Sequence, residues 1–183
     1  MNSNRYIITG GPGSGKSTLL EALREDGFRC FEEISRNVIR EQHAIGGDKV
    51  PWQNLGDFAE ICYERMSAQL EDCPPDNYCF YDRGLPDIIA YVKRGGLKVP
   101  KKYYQRSTDY NTTVFIAPPW KEIFINDSER PESFEDSKEI FKFLRSTYEA
   151  LNFDIVLLPK VPVEERVEFI RQQIGITEKE ENR

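Results

Sequence analysis

An apolar segment near the start of the chain runs directly into a glycine-rich stretch. Residues 6–9 are Tyr-Ile-Ile-Thr, and residues 10–18 read Gly-Gly-Pro-Gly-Ser-Gly-Lys-Ser-Thr. This spacing matches G-x-x-x-x-G-K-[ST], the phosphate-binding loop, in the strand–loop–helix context that its mechanism requires. The motif therefore predicts a nucleoside triphosphate with Mg²⁺ as the ligand class.

The chemistry of this loop follows from how few side chains it carries. Glycine permits positive φ angles, so the backbone can curl and point successive N–H groups at phosphate oxygens, and the following helix adds its positive end. We expect Lys16 to reach the β- and γ-phosphates, Ser17 to bind Mg²⁺, and Thr18 to lie near the α-phosphate. The predicted nucleotide-binding residues are Gly11, Pro12, Gly13, Ser14, Gly15, Lys16, Ser17 and Thr18.

The length and the charge of the chain limit the number of domains and the classes of partner. A chain of 183 residues with 39% hydrophobic residues suits a single globular domain spanning residues 1–183. The 31 acidic residues exceed the 25 basic ones, which gives a net charge of −6. Such a surface repels polyanions, so we expect neither nucleic acid nor an anionic membrane as a general partner.

The four cysteines lie at positions 30, 62, 73 and 79 and form no Cys-x-x-Cys pair. Their places in or beside predicted strands and helices favour free buried thiols and a reducing, cytoplasmic compartment. His43 is the single histidine, so no common zinc pattern is matched, and we expect it to be a capping or surface group. No targeting signal and no bilayer-spanning apolar stretch is apparent in the sequence.

Strand-like and helix-like segments alternate along the chain, which predicts a parallel sheet covered by helices on both faces. The fold class is therefore α/β, a three-layer α/β/α P-loop architecture with a five-stranded parallel sheet. Predicted strands are 5–9, 28–31, 78–81, 113–117 and 154–158. Predicted helices are 15–26, 35–43, 54–72, 85–94, 101–108, a long one carrying 140–151, and 163–174. Residues 120–137 are predicted to be an irregular lid, and the tail from 177 to be frayed.

In open parallel sheets, ligands bind beyond the carboxyl ends of the strands, so residues at those ends are candidates. The third predicted strand ends in Asp82 and Arg83, an acid that could hold the Mg²⁺ shell and a base that could reach a phosphate. The second is followed by Glu33, which could accept a proton from a substrate hydroxyl, and by Arg36, which could neutralise a substrate anion or pair with Glu33. The structural alternatives are a strand-ending acid with a solvated arginine, and a helix N-terminal acid favoured by the dipole.

Two loops contribute further candidates. In the predicted lid, Arg130 could reach the phosphates on closure, and the alternative is a solvated surface loop. Residues 159–162 could line an adenine pocket or form a plain turn between strand and helix.

Together, these residues resemble a P-loop family usually labelled an AAA domain of the NadR type, which includes ribosylnicotinamide kinase and is similar to nucleoside kinases. The resemblance covers nearly the whole chain, and its more specific elements are Glu33-Ile-Ser-Arg36 and Asp82-Arg-Gly-Leu-Pro-Asp87. It implies ATP, Mg²⁺ and a nucleoside-kinase-like core in which Glu33 and Asp82 face the acceptor. The chain departs from deoxynucleoside kinases at Gly84, where they carry serine.

The resulting hypothesis is transfer of the ATP γ-phosphate to a hydroxyl of a small, nucleoside-like molecule. Candidate catalytic residues are Lys16, Glu33, Asp82, Arg83 and Arg130. Candidate metal ligands are Ser17 and Asp82, and either Glu33 or Asp82 is the base. Candidate substrate-binding residues are Glu33, Arg36, Asp82, Arg83 and Asp87. The alternative is a slow nucleotide-hydrolysing switch that acts through a protein partner. That switch would hydrolyse ATP or GTP, and the Asn-Lys-x-Asp element that guanine preference usually needs is absent.

Overall fold

A parallel sheet organises the part of the chain that the computed structural model describes, residues 3–74, 76–125 and 132–176. Its strands follow the order β2-β3-β1-β4-β5, and every pairing is parallel. The strands are β1 (Arg5–Gly10), β2 (Arg29–Phe31), β3 (Cys79–Asp82), β4 (Thr113–Ala117) and β5 (Asp154–Leu157). The α/β class and the five-stranded parallel sheet predicted from the sequence are confirmed.

Helices connect the strands and cover the sheet. They are α1 (Lys16–Glu25), α2 (Ile34–Ile45), α3 (Leu55–Glu71), α4 (Leu85–Arg94), α5 (Lys101–Ser107), α6 (Phe134–Ala150) and α7 (Val163–Gln173), with a short 3₁₀ turn at Lys121–Ile123. None of the helices within the described ranges is long and apolar enough to cross a bilayer.

The two faces of the sheet bury separate cores, because successive residues of a strand point to opposite sides. Tyr6 and Ile8 of β1 face the core formed with α1 and α7, which also holds Leu19, Leu23 and Ile170. Ile7, between them, faces the larger core formed with α2, α3, α4 and α6. These two cores confirm the three-layer arrangement.

The register of the central strand brings the functional segments to one edge of the sheet. Gly10 pairs with Ala117, so β1 and β4 end at the same level, and Ile8 pairs with Asp82, so β3 ends two residues earlier. A Cβ atom on Gly10 would lie 2.5 Å from the Ala117 carbonyl oxygen, and Gly10 has a φ of +147°. The chain can therefore leave the sheet at this point only as glycine.

The start of α6 corrects the predicted extent of the irregular segment 120–137, since residues 134–137 are helical. Ser133 caps this helix: its Oγ accepts from the Asp136 N–H at 3.2 Å, and Asp136 Oδ2 accepts from the Ser133 N–H at 2.8 Å. This reciprocal capping box stabilises the first turn. Residues 126–131 and 177–183 lie outside the described residues, so the lid and the frayed tail stay predictions there.

The prediction of four free thiols is wrong for two of them. Cys73, after α3, forms a disulfide with Cys79, the first residue of β3, across a Cα–Cα distance of 6.4 Å. The turn between them reverses the chain and brings the two Cα atoms close, which the spacing alone does not reveal. Cys30 and Cys62 are free, and burial raises the pKa of both thiols to about 12.

A buried carboxylate joins three elements behind the edge of the sheet. Asp87 on α4 is fully buried, and its Oδ1 accepts a hydrogen bond from Thr9 Oγ1 of β1. Its Oδ2 accepts from the Tyr148 hydroxyl of α6 at 2.6 Å and from the Gly84 N–H at 3.0 Å. Burial, reinforced by the Asp87 charge and hydrogen bond, raises the pKa of Tyr148 well above its ordinary value, so this hydroxyl remains a donor.

Thiol counting tests the cysteine assignment. We expect denatured, unreduced protein to take up two alkyl groups, on Cys30 and Cys62, and reduced protein to take up four. In the native state neither free thiol should react quickly at pH 8, because the thiolate is the nucleophile. Intact-protein mass spectrometry after alkylation measures this. Four modifications without reductant would contradict the disulfide.

Tyr148→Phe should lower the free energy of unfolding by about 1–3 kcal/mol, because it leaves a buried carboxylate oxygen with one donor fewer. Chemical denaturation measures the change. Tyr104→Phe is the matched control, since the Tyr104 ring is only partly buried and lies beside Lys93. The control should change stability by less than about 0.5 kcal/mol. Equal stability of Tyr148→Phe and the unmodified protein would rule out the proposed bond to Asp87.

Candidate functional site

The glycine-rich loop adopts a conformation that only glycine tolerates well. Gly13 and Gly15 have φ angles of +66° and +79°. The loop is also closely covered, since a Cβ atom on Gly13 would lie 2.5 Å from the Phe124 ring and one on Gly15 would lie 2.9 Å from Ile123 Cδ1. The loop is thus a backbone cradle between β1 and α1, as the motif predicts.

Lys16 lies across this cradle. Its side chain is 6% exposed, and its Nζ donates to the carbonyl oxygens of Gly10 at 3.1 Å and Gly11 at 3.0 Å. Ser14 Oγ also donates to the Gly11 carbonyl, at 2.8 Å. The ammonium group is therefore held over the loop, where an incoming phosphate could take over its hydrogen bonds.

Ser17 and Asp82 line one polar cavity of about 290 Å³ between α1 and α2, which we call the polar cavity. Glu33 and Arg36 also line it. Hydroxyl and carboxylate oxygens are ligands that Mg²⁺ prefers, and Mg²⁺ usually binds one or two protein oxygens together with substrate phosphates. Within the described ranges, no group of three or more His, Cys, Asp or Glu side chains could hold a metal by itself. The Ser17–Asp82 pair beside a phosphate cradle therefore fits a shared Mg²⁺ site.

Glu33 and Arg83 form a buried ion pair at the ends of β2 and β3. The Arg83 Nε lies 3.0 Å from Glu33 Oε1, and the two residues are 3% and 8% exposed. Ser35 Oγ donates to the same Glu33 oxygen at 2.7 Å, and Arg36 Nε lies 3.9 Å from Oε2. These contacts fix the direction of the Glu33 carboxylate.

The charge of Arg83 is stabilised by several acids. Burial opposes the charge, but Glu33, together with Tyr91, Asp87 and Asp82, raises the pKa of Arg83 well above its ordinary value. Its Nη1 lies 3.4 Å from Asp87 Oδ1. The backbone of Arg83 has a φ of +68°, a left-handed conformation that is uncommon for a non-glycine residue.

A second, larger cavity of about 510 Å³ opens next to the first, and we call it the aromatic cavity. It extends from Pro12 of the glycine-rich loop to α2, α3, α4 and the start of α6. Its apolar and aromatic wall consists of Ile39, His43, Pro51, Trp52, Phe58, Ile88 and Tyr91. Its charged side chains are Glu33, Asp87, Glu132, Asp136 and Arg83.

Glu33 lines both cavities. On one side it shares the polar cavity with Ser17 and Asp82, and on the other it shares the aromatic cavity with Arg83 and Pro12. A carboxylate in this position lies between a site suited to Mg²⁺ and polyphosphate and a space suited to a second small molecule.

The other residues predicted from the sequence lie in different places. Arg36 lines the polar cavity and not the aromatic one, and Asp87 lines the aromatic cavity while its oxygens bond within the fold. Thr18 is exposed on the first turn of α1. Arg130 lies outside the described residues.

The wall of the aromatic cavity as a whole is not predicted by the sequence pattern. Trp52 and His43 form a ring pair, with centroids 5.8 Å apart, that lines this cavity. The sequence predicts a packing or pocket-wall role for Trp52, which agrees with this position, but only a capping or surface role for His43. Helical spacing offered a weak signal, since Ile39 and His43 share one face of α2. Nothing in the local sequence links either to Tyr91 or Asp136.

Relatives and solved structures with similar sequences or folds are known. A UPF0200 protein of Saccharolobus islandicus is 28% identical over 151 residues, which cover 81% of this chain and 76% of the relative. The crystal structure of NadR in complex with NR aligns with a TM-score of 0.65 at 17% identity over 96% of this chain, which spans 52% of that protein. Deoxyadenosine kinase from M. mycoides with bound dATP aligns with a TM-score of 0.56 at 17% identity, over 93% of this chain and 98% of that one.

At these identities the two structures show a shared fold, that of the P-loop kinases. This agrees with the strand order and the cradle described above. The model of a sequence family described as an AAA domain matches residues 5–166, from the start of β1 to the first turn of α7. The chain therefore belongs to this AAA domain family of P-loop proteins.

Proposed function

We propose that the protein transfers the γ-phosphoryl group of ATP to a hydroxyl group of a small molecule held in the aromatic cavity. The observation that carries this proposal is the position of Glu33, which lines both that cavity and the one shared by Ser17 and Asp82. A hydroxyl beside Glu33 would face the end of a polyphosphate held by the loop. Sheltering this contact from water would favour transfer over hydrolysis.

In the proposed step, the acceptor oxygen forms a bond to the γ-phosphorus while the bond from that phosphorus to the β–γ bridging oxygen breaks. The hydroxyl proton passes to the Glu33 carboxylate, and ADP is released. Arg83 and Ser35 orient Glu33, and Lys16 neutralises charge on the transferred group. Ser17 and Asp82 would hold Mg²⁺, which supplies charge neutralisation on the phosphates when it is bound. The proposed roles of Arg36 and Arg130 stay predictions.

The charge of the aromatic cavity limits the acceptor. Its lining contains four carboxylates, Glu33, Asp87, Glu132 and Asp136, against one guanidinium, Arg83. The Oε2 atom of Glu132 is buried and has no hydrogen-bond partner within the described ranges. An excess of negative charge disfavours an anionic acceptor. The volume of about 510 Å³ and the flat side chains of Trp52 and Tyr91 suit a ring compound of nucleoside size that is neutral or cationic.

The comparisons support this class of reaction without specifying the acceptor. Two proteins of the same fold are named as a deoxyadenosine kinase with bound dATP and as NadR in complex with NR. We place the reaction in the cytoplasm, where ATP is available. The Cys73–Cys79 disulfide argues against this placement, because cytoplasmic proteins seldom keep disulfides, so the thiol count proposed above also tests it.

Glu33→Gln should lower turnover at least about 100-fold, because the amide cannot accept the hydroxyl proton. The dissociation constant of MgATP should change little. Glu25→Gln is the control, since Glu25 is an exposed acid that lines neither cavity. Acceptor phosphorylation measures the first effect and calorimetry the second. Full activity of Glu33→Gln would exclude Glu33 as the base and leave Asp82 as the candidate.

A panel of paired acceptors tests the charge argument. Each nucleoside should be phosphorylated faster than its own 5′-monophosphate, because the added phosphate would enter an acidic cavity. ADP formation with and without each acceptor measures this. If ADP forms equally fast without any acceptor and with each acceptor in the panel, phosphoryl transfer is contradicted. The nucleotide-hydrolysing switch is then favoured. A preference for monophosphates would contradict the assignment of the aromatic cavity to the acceptor.

A further inference from the structure

Arg166, on the first turn of α7, is a buried cation that the proposed reaction does not use. Its side chain is only 3% exposed. The guanidinium Nη1 lies 3.4 Å from the Gly15 carbonyl oxygen and 2.9 Å from the place that a Cβ atom on Gly15 would occupy. Its Nε atom is buried and has no hydrogen-bond partner in the part of the chain that the structure describes. Arg166 thus packs against the back of the glycine-rich loop.

No carboxylate of the described residues balances this charge. Burial lowers the pKa of Arg166, and no acid acts in the opposite direction. Two other buried arginines differ in this respect. Arg171, one turn and a half further along α7, pairs with Asp26 at 2.8 Å, and Arg83 pairs with Glu33 at 3.0 Å. A buried, unbalanced guanidinium is costly, and a compensating anion would remove that cost.

The surroundings add positive charge. Gly15 is the N-cap of α1, where the helix dipole is positive, and Lys16 follows it directly. Arg166, the α1 N-terminus and Lys16 therefore concentrate positive potential on one loop. This arrangement is unfavourable in the empty protein and becomes favourable when a polyanion binds.

We propose that Arg166 is a positioning residue for the polyphosphate of a nucleoside di- or triphosphate. It acts through Gly15, by holding the carbonyl of this residue and by adding its charge behind the cradle. The inference rests on the proposed function only in that a nucleotide occupies the loop, and it is independent of any acceptor.

Replacing the residue should have opposite effects on stability and binding. Replacing an arginine that has only a structural role lowers the stability of the protein, and this is the result expected for Arg171. Arg166→Met removes an unbalanced buried charge and keeps most of the volume, so the nucleotide-free protein should melt at the same or a higher temperature. The same variant should bind polyphosphates more weakly.

The test is calorimetric titration with MgATP, MgADP and AMP, together with thermal melting of the nucleotide-free protein. We expect Arg166→Met to raise the Kd of MgATP and MgADP about tenfold, with a smaller effect on AMP, and Arg166→Lys to recover part of the affinity. Arg171→Met should lower the melting temperature and leave both Kd values unchanged. Lys16→Ala serves as the reference for loss of binding. Arg166→Gln replaces the methionine variant if that variant does not fold.

Binding of MgATP by the neutral variant within twofold of the unmodified protein would overturn the inference. Equal impairment of Arg166→Lys and the neutral variant would also overturn it, since shape and not charge would then be what matters. Either result leaves the proposed phosphoryl transfer standing, because turnover with an acceptor is measured separately. Failure of the unmodified protein to bind any nucleotide would overturn both.

Discussion

The buried guanidinium of Arg83 connects the parts of this protein on which the site depends. It lies between Glu33 at the start of α2 and Asp87 on α4, at 3.0 and 3.4 Å. Its left-handed backbone costs about 1–3 kcal/mol for a residue other than glycine. Two carboxylates pair with the side chain and hold it in place. Because Glu33 is buried and is ion-paired with this cation, the position of Glu33 depends on Arg83.

Asp87 lies at the proposed acceptor cavity, but its hydrogen bonds stabilise the fold. It lines the aromatic cavity, yet it accepts hydrogen bonds from Thr9 of β1, Gly84 and Tyr148 of α6. The network therefore joins α4 to the central strand and to the last long helix of the larger core. Asp87 contacts Arg83, and Arg83 contacts Glu33, so the proposed base is connected through them to β1 and α6.

The sequence allowed the strands, the glycine-rich loop and the strand-end residues to be predicted, because each depends on a local pattern. Apolar runs mark β1 and β4, and the turn residues around them mark their ends. The aromatic cavity could not be predicted, since Trp52, Tyr91 and Asp136 come from distant segments that meet only through helix packing. The disulfide was missed for a different reason, because Cys73 and Cys79 are close in sequence and their pairing depends on how the chain turns between α3 and β3. The first turn of α6 could have been found, since Ser133 and Asp136 have capping-box spacing.

Trp52 gives the protein an optical reporter at a useful place. Its indole is 59% exposed, lies beside the His43 ring and forms part of the wall of the aromatic cavity. The other tryptophan, Trp120, does not line that cavity. A compound that enters the cavity would exclude solvent from the Trp52 indole and change its emission. Ligand screening can therefore begin from intrinsic fluorescence, with no label and before any reaction has been assigned.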